Sequence, residues 1–155
     1  LYNIKKDQFQ VNNTDTVLLQ DVKDGLLDGI SKKWFANKQL MEYREYKLGR
    51  KNGRQIAFWD NGKKRFEFTT VNDAYEGELK EWAENGQLFH LAHYKNGQEE
   101  GVQKLWYENG KIRANYIILN GKRLLPVNNI PIASPVNVQR TVALLVPELI
   151  SKALR

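Results

Sequence analysis

Large apolar residues recur along this chain at one interval and in one place relative to glycine. Gly29, Gly53, Gly77 and Gly101 are 24 residues apart, and five residues after each stands Trp34, Phe58, Trp82 or Trp106. The next position holds Phe35, Trp59, Ala83 or Tyr107, and eight residues after each glycine comes Asn37, Asn61, Asn85 or Asn109. Three of these asparagines precede a glycine, at Gly62, Gly86 and Gly110, and Lys38 is the exception. A second turn signal follows each unit at Gly49, Asp73, Gly97 and Gly121, and Asp24 and Gly25 occupy the same place ahead of the first unit. Agreement at several separate offsets makes the repeat the organising feature of the chain.

Each unit reads as a β-hairpin. Asn-Gly suits a two-residue type I′ turn, because both central residues take positive φ. The fourth unit runs into its turn through Val102 to Tyr107 and returns through Lys111 to Leu119, both rich in aromatic and β-branched residues and free of proline. Four such hairpins predict an all-β, elongated meander of about eight antiparallel strands, on the order of 40 Å long at ~4.8 Å per strand. Neighbouring side chains alternate between faces, so Trp34, Phe58, Trp82 and Trp106 are expected as a structural column on one face, with Phe35, Trp59 and Tyr107 on the other. Gly29, Gly53, Gly77 and Gly101 are expected where two backbones come too close for a side chain.

The chain divides into three stretches. Residues 1–28 carry strand-like pieces around Phe9 to Val11 and Thr16 to Leu19, the second of which is expected to cap the sheet. Residues 29–124 hold the four hairpin repeats. Residues 125–155 contain all four prolines, Pro126, Pro131, Pro135 and Pro147, so the hairpin array ends there. Val127, Ile130, Ile132, Val136 and Val138 are too apolar for an ordinary linker, and Pro147 is placed to open a short helix through Leu149, Ile150 and Leu154. This tail is expected either to fold back over the sheet or to dock on a partner.

Composition changes the picture in a few places. Absence of cysteine excludes disulfides, thiol chemistry and Cys-based zinc sites, and suits the cytoplasm and a bacterial envelope equally. The longest apolar run, Val142 to Val146, is far shorter than the 18 or so residues of a spanning helix. Of a net charge of +6, the densest basic stretch runs from Arg44 to Arg65 and includes Lys47, Arg50, Lys51, Arg54, Lys63 and Lys64. Clustered cations attract acidic proteins, anionic lipid or nucleic acid, although exposed strands also carry them for solubility. His90 and His93 are three apart, which on a strand puts them on opposite faces, so no metal site is expected. No phosphate-binding loop, nucleophile with a neighbouring base, or cofactor motif is visible, and the chain is read as a non-enzyme.

The ordered series of glycine, aromatic, Asn-Gly and second turn resembles the bacterial variant of the MORN repeat found in the YwqK-type antitoxin family. Tyr75, Glu76, Gly77 and Glu78 also resemble the Tyr-Glu-Gly-Glu opening of the eukaryotic MORN unit. The similarity covers Gly25 to about Arg123, with departures at Lys38, Asp73 and Ala83. It implies a repeat used for protein contact, in that branch as the antidote to a toxin, and sometimes credited with binding acidic lipid. The expected function is accordingly a protein-binding module, antitoxin-like or an accessory subunit of a larger assembly, meeting its partner through Trp59 and Tyr107 flanked by Arg54, Lys63 and Lys64. The alternatives are an acidic-membrane binder using the Arg44 to Arg65 stretch and a purely structural envelope module. Binding of single-stranded nucleic acid is the least economical reading.

Overall fold

A computed structural model describes residues 10–12 and 15–124. They form one antiparallel sheet: β1 (Gln10–Asn12), β2 (Asp15–Lys23), β3 (Leu26–Trp34), β4 (Leu40–Lys47), β5 (Arg50–Phe58), β6 (Lys64–Val71), β7 (Ala74–Trp82), β8 (Leu88–Lys95), β9 (Gln98–Glu99), β10 (Gly101–Trp106), β11 (Ile112–Leu119) and β12 (Lys122–Leu124). Every strand pairs with its neighbours in sequence, and β9 and β10 share one place beside β8, so the sheet is eleven places wide. The all-β meander of hairpins therefore stands, with the eight expected strands flanked by β1, β2 and β12. The Pro-rich tail and its helix lie outside the described residues.

The two kinds of turn alternate, and their types differ from expectation. At the Asn positions the loop has three residues: Gly62 N–H donates to Trp59 O (2.9 Å), Trp59 N–H donates to Lys63 O (2.8 Å), and only the last loop residue has positive φ. Each Asn instead uses its side chain, as when Asn61 Oδ1 accepts from Lys63 N–H at 2.9 Å. In two of them Nδ2 also donates onward to the next unit, from Asn37 to Asp60 O (3.0 Å) and from Asn61 to Glu84 O (2.9 Å). The two-residue turns with positive φ at both centres lie at the other rim, at Asp24-Gly25, Leu48-Gly49, Asn72-Asp73, Asn96-Gly97 and Asn120-Gly121. At three of them the second residue's N–H reaches back one unit, from Gly49 to Leu27 O, from Asp73 to Lys51 O and from Gly97 to Tyr75 O.

Each anchor glycine sits in a bulge. Arg44 faces Gln55 and Tyr46 faces Lys51, so three residues of β4 oppose five of β5, with Gly53 in the excess. The bulge leaves backbone groups without ladder partners, and side chains fill in. Glu45 Oε2 accepts from Arg54 N–H (2.7 Å), and Gln55 Nε2 donates to Glu45 O (2.9 Å) and to Thr70 Oγ1 (3.3 Å). One unit earlier Asp21 takes the place of Glu45 by accepting from Ile30 N–H (2.8 Å), and in the fourth unit Gln103 Nε2 donates to His93 O (2.9 Å).

This arrangement decides where the core lies. Two residues after each anchor glycine stand Ser31, Gln55, Leu79 and Gln103, all buried, with Gln55 and Gln103 at 0% and 1% exposure. Trp34, Phe58, Trp82 and Trp106 each close a strand at the Asn-turn end, and each is only half-buried. The most enclosed row is thus partly polar, because the bulge must be satisfied by short-range donors that aromatic rings lack.

Candidate interaction surfaces

The expected contact residues occupy three places. Arg54 lies mid-strand on β5, where its guanidinium meets Glu67 Oε1 at 2.9 Å, and Lys64 Nζ meets Glu67 Oε2 at 2.5 Å. Burial pulls the Glu67 carboxyl upward, but hydrogen bonds and charge from Lys64 and Arg54 outweigh it and hold the group below the ordinary carboxylate range. The same carboxylate holds the Arg54 guanidinium above its usual value. Lys64 Nζ also lies 5.7 Å from the Trp82 ring centre, so this cation is shared between an acid and an aromatic face.

Trp59 and Lys63 are tied into the Asn turns. Trp59 Nε1 donates to Trp82 O at 3.1 Å and its ring lies under Arg65 at 5.0 Å, while Lys63 Nζ donates to Asn85 O at 2.8 Å. Tyr107 stands two units further along the same rim and is 54% exposed. At ~4.8 Å per strand, about 19 Å separates it from Trp59, too far for one small contact. Between them, Ala83 lacks the aromatic of this position. Phe89 lies 24 residues after Arg65, and it is exposed. In the third unit the aromatic has moved from one side of the hairpin to the other.

The basic stretch from Arg44 to Arg65 is not one patch. Lys47, Arg50 and Lys51 lie at the two-residue-turn rim and Lys63, Lys64 and Arg65 at or beside the Asn-turn rim, a strand's length of roughly 26 Å apart. Neighbours in sequence are parted because β5 runs the full width of the sheet. Arg44, between them, lies over the Phe66 ring at 5.0 Å.

Sequence periodicity missed one cluster altogether. Phe66, Phe68, Tyr75 and Tyr94 meet ring to ring in succession across β6, β7 and β8, stacked, edge-on and tilted in turn, with ring centres 5.4, 4.9 and 4.9 Å apart. Burial raises the Tyr94 phenol, helped by the charge of Glu99. The alternation of Phe66 and Phe68 about Glu67 was the available signal, but the two tyrosines sit at different offsets of the repeat and join only through strand pairing.

His90 and His93 fall on opposite faces, His90 Nδ1 at 2.7 Å from Glu81 and His93 Nδ1 at 3.0 Å from Val102 O. Among the described residues no His, Cys, Asp and Glu group is arranged to hold a metal ion, and no helix is long and apolar enough to cross a membrane.

A family model described as MORN repeat variant matches residues 27–48, 75–96 and 99–116. The matched segments are hairpin repeats of the sheet, and the unit between the first two has the same architecture. MORN repeats are non-enzymatic modules associated with binding and scaffold roles. No curated protein matches the chain.

Proposed function

We propose that these MORN-variant repeats form a scaffold that holds a protein partner, a toxin or a subunit of a larger assembly, against the Asn-turn rim. The observation that carries this reading is the spread of exposed apolar side chains over successive units of that rim, Phe89 at 36% and Tyr107 and Ile112 at 54% each; the opposite rim exposes Leu26, Leu48, Val71 and Tyr75, so the experiment compares the two rims. Phe89 stands one unit along from Lys63, Lys64 and Arg65, and Tyr107 and Ile112 one unit further, beside Lys111 and Arg113, so the rim offers aromatic and aliphatic anchors interleaved with cations over a length that suits an extended partner. Among the described residues the sheet is one layer thick, and no second layer covers these side chains. Of the five expected contact residues, Trp59, Lys63, Lys64 and Tyr107 are kept in this reading, and Arg54 is left out, because it lies mid-strand on β5, away from the rim, with its exposed guanidinium paired to Glu67.

The test places a photoreactive phenylalanine analogue at Tyr107 and, as a control, at Asp73 on the opposite rim, with crosslinking in the native source. The expected result is one discrete adduct from position 107 that is absent from position 73 and is lost when Phe89→Ala and Ile112→Ser are added. Equal labelling from both rims, or none from position 107, removes the reading.

A further inference from the structure

At the opposite rim, we propose that the turn between β4 and β5 is a binding site for the phosphate group of a phosphate monoester. The inference starts from a like-charge pair. Lys47 and Arg50 face each other directly across this hairpin, an arrangement that costs stability unless something negative lies between them. Neither cation has a carboxylate partner among the described residues. The matching pairs at the other turns are Lys23 with Leu26, Val71 with Ala74, Lys95 with Gln98 and Leu119 with Lys122, none of them doubly cationic.

The repeat also shows what has been removed here. In later units a glutamate just before the anchor glycine caps the first amide of the following turn: Glu76 Oε2 accepts from Asn96 N–H at 2.8 Å and Glu100 Oε2 from Asn120 N–H at 3.1 Å. In this unit the residue is Asn52, whose Oδ1 accepts from Asn72 N–H at 3.2 Å. The bond is kept while the negative charge is lost, and the Asn52 amide keeps its Nδ2 donor. The turn tip changes in the same sense, since Leu48 stands where the other turns carry Asp24, Asn72, Asn96 and Asn120. Leu48 holds φ at 50° and is 66% exposed, so it supplies no competing acceptor.

These substitutions converge on one open recess at the surface. A space of about 360 Å³ is lined by Lys47, Leu48, Arg50, Asn52 and Asn72, bringing two cations and two amide side chains together with no acid in the lining. The nearby carboxylate of Asp73 is engaged by Lys51 N–H at 2.8 Å and does not line the recess. Arginine presents a fork that matches phosphate oxygens, and lysine and amide donors complete the set. The volume admits a phosphate together with part of the group that carries it.

The phosphate can arrive on a soluble metabolite or on a lipid headgroup, and the experiment separates the two. The full chain is titrated with glycerol 3-phosphate while amide shifts of residues 47–52 and 72 are followed, and it is co-sedimented with phosphatidylcholine vesicles with and without phosphatidic acid. Both are repeated with Asn52→Glu, which restores the residue type that Glu76 and Glu100 show to be compatible with the fold, and with Arg50→Gln. Binding of either probe that weakens about tenfold or more in both variants supports the site, the loss being that of a charge-assisted contact. Glycerol 3-phosphate then identifies a soluble ligand, and vesicles alone identify a headgroup. Binding that Asn52→Glu leaves unchanged, or no binding of either probe, overturns the proposal.

Discussion

At the scale of single residues, the repeat places the same residue type in settings of unequal cost. A Cβ added at Gly53 would land on Glu45 Oε2 and 3.0 Å from Glu45 Cβ, with φ at 112°, whereas one at Gly77 would meet nothing within 4 Å. Gly77→Ala is therefore expected to cost about 1–2 kcal/mol, from left-handed backbone alone. Gly53→Ala should cost clearly more, because it also displaces the carboxylate that caps Arg54 N–H. Urea midpoints of the two variants check the order. Glu67 gives a pH dependence of defined sign. Its folded-state pKa lies below the ordinary 4.5, so its contribution is fully present above that value and is lost as pH falls through the lower folded-state value. Glu67→Gln should accordingly be less stable than the parent at pH 7, with the gap closing in acid. The effect is expected to be modest, since Lys64 and Arg54 are 44% and 58% exposed and water screens them. Urea midpoints across pH would contradict this if the gap widened on acidification.

At the scale of the hairpin, each turn is a separate stability problem. Leucine is poorly suited to the left-handed region that Leu48 occupies, and asparagine tolerates it well. Leu48→Asn should stabilise the chain by roughly 0.5–1 kcal/mol, seen as a higher thermal midpoint. Asn61→Ala should cost about 1–2 kcal/mol, because it removes both the bond within its turn and the one reaching Glu84 O. Calorimetry on the pair would show opposite shifts. Turn positions were legible in the sequence because glycine and asparagine mark them, but turn types were not. Asn-Gly fits two hairpin geometries, and the three-residue loop goes with the Asn side chain accepting from the amide two residues on, a bond shared by Asn37, Asn61, Asn85 and Asn109 and invisible in the dipeptide itself. The anchor glycines were legible for a related reason, whereas their partners Glu45 and Gln55 were not, since a bulge spends polar side chains that in sequence look like solvated surface. The basic stretch from Arg44 to Arg65 misled because chain proximity ignores the width of the sheet. The aromatic rim at Trp59 and Tyr107 was visible, and the phosphate recess was not, because its mark is an acid missing from a position whose role only the hydrogen bonds reveal.

At the scale of the molecule, strands pair only with sequence neighbours, so stability should be close to a sum over units and the junctions between them. Deleting residues 53–76 joins Asn52 to Gly77 in the original register. The shortened chain should remain a β-sheet by far-UV circular dichroism and unfold with a smaller urea m-value, in proportion to the surface lost. A coil spectrum would show that the units are not interchangeable.

The partly polar row of Ser31, Gln55 and Gln103 has a further consequence, in the temperature response. Unfolding a two-layered domain releases mainly apolar surface and raises the heat capacity by about 12–15 cal/mol/K per residue, whereas newly wetted amide and hydroxyl surface lowers it. The sheet of the described residues, one layer thick and with glutamine, serine and threonine among its most enclosed positions, should contribute less than that range in scanning calorimetry. Its stability curve would then be shallow, and the scaffold would hold its shape almost as well in the cold as in the warmth.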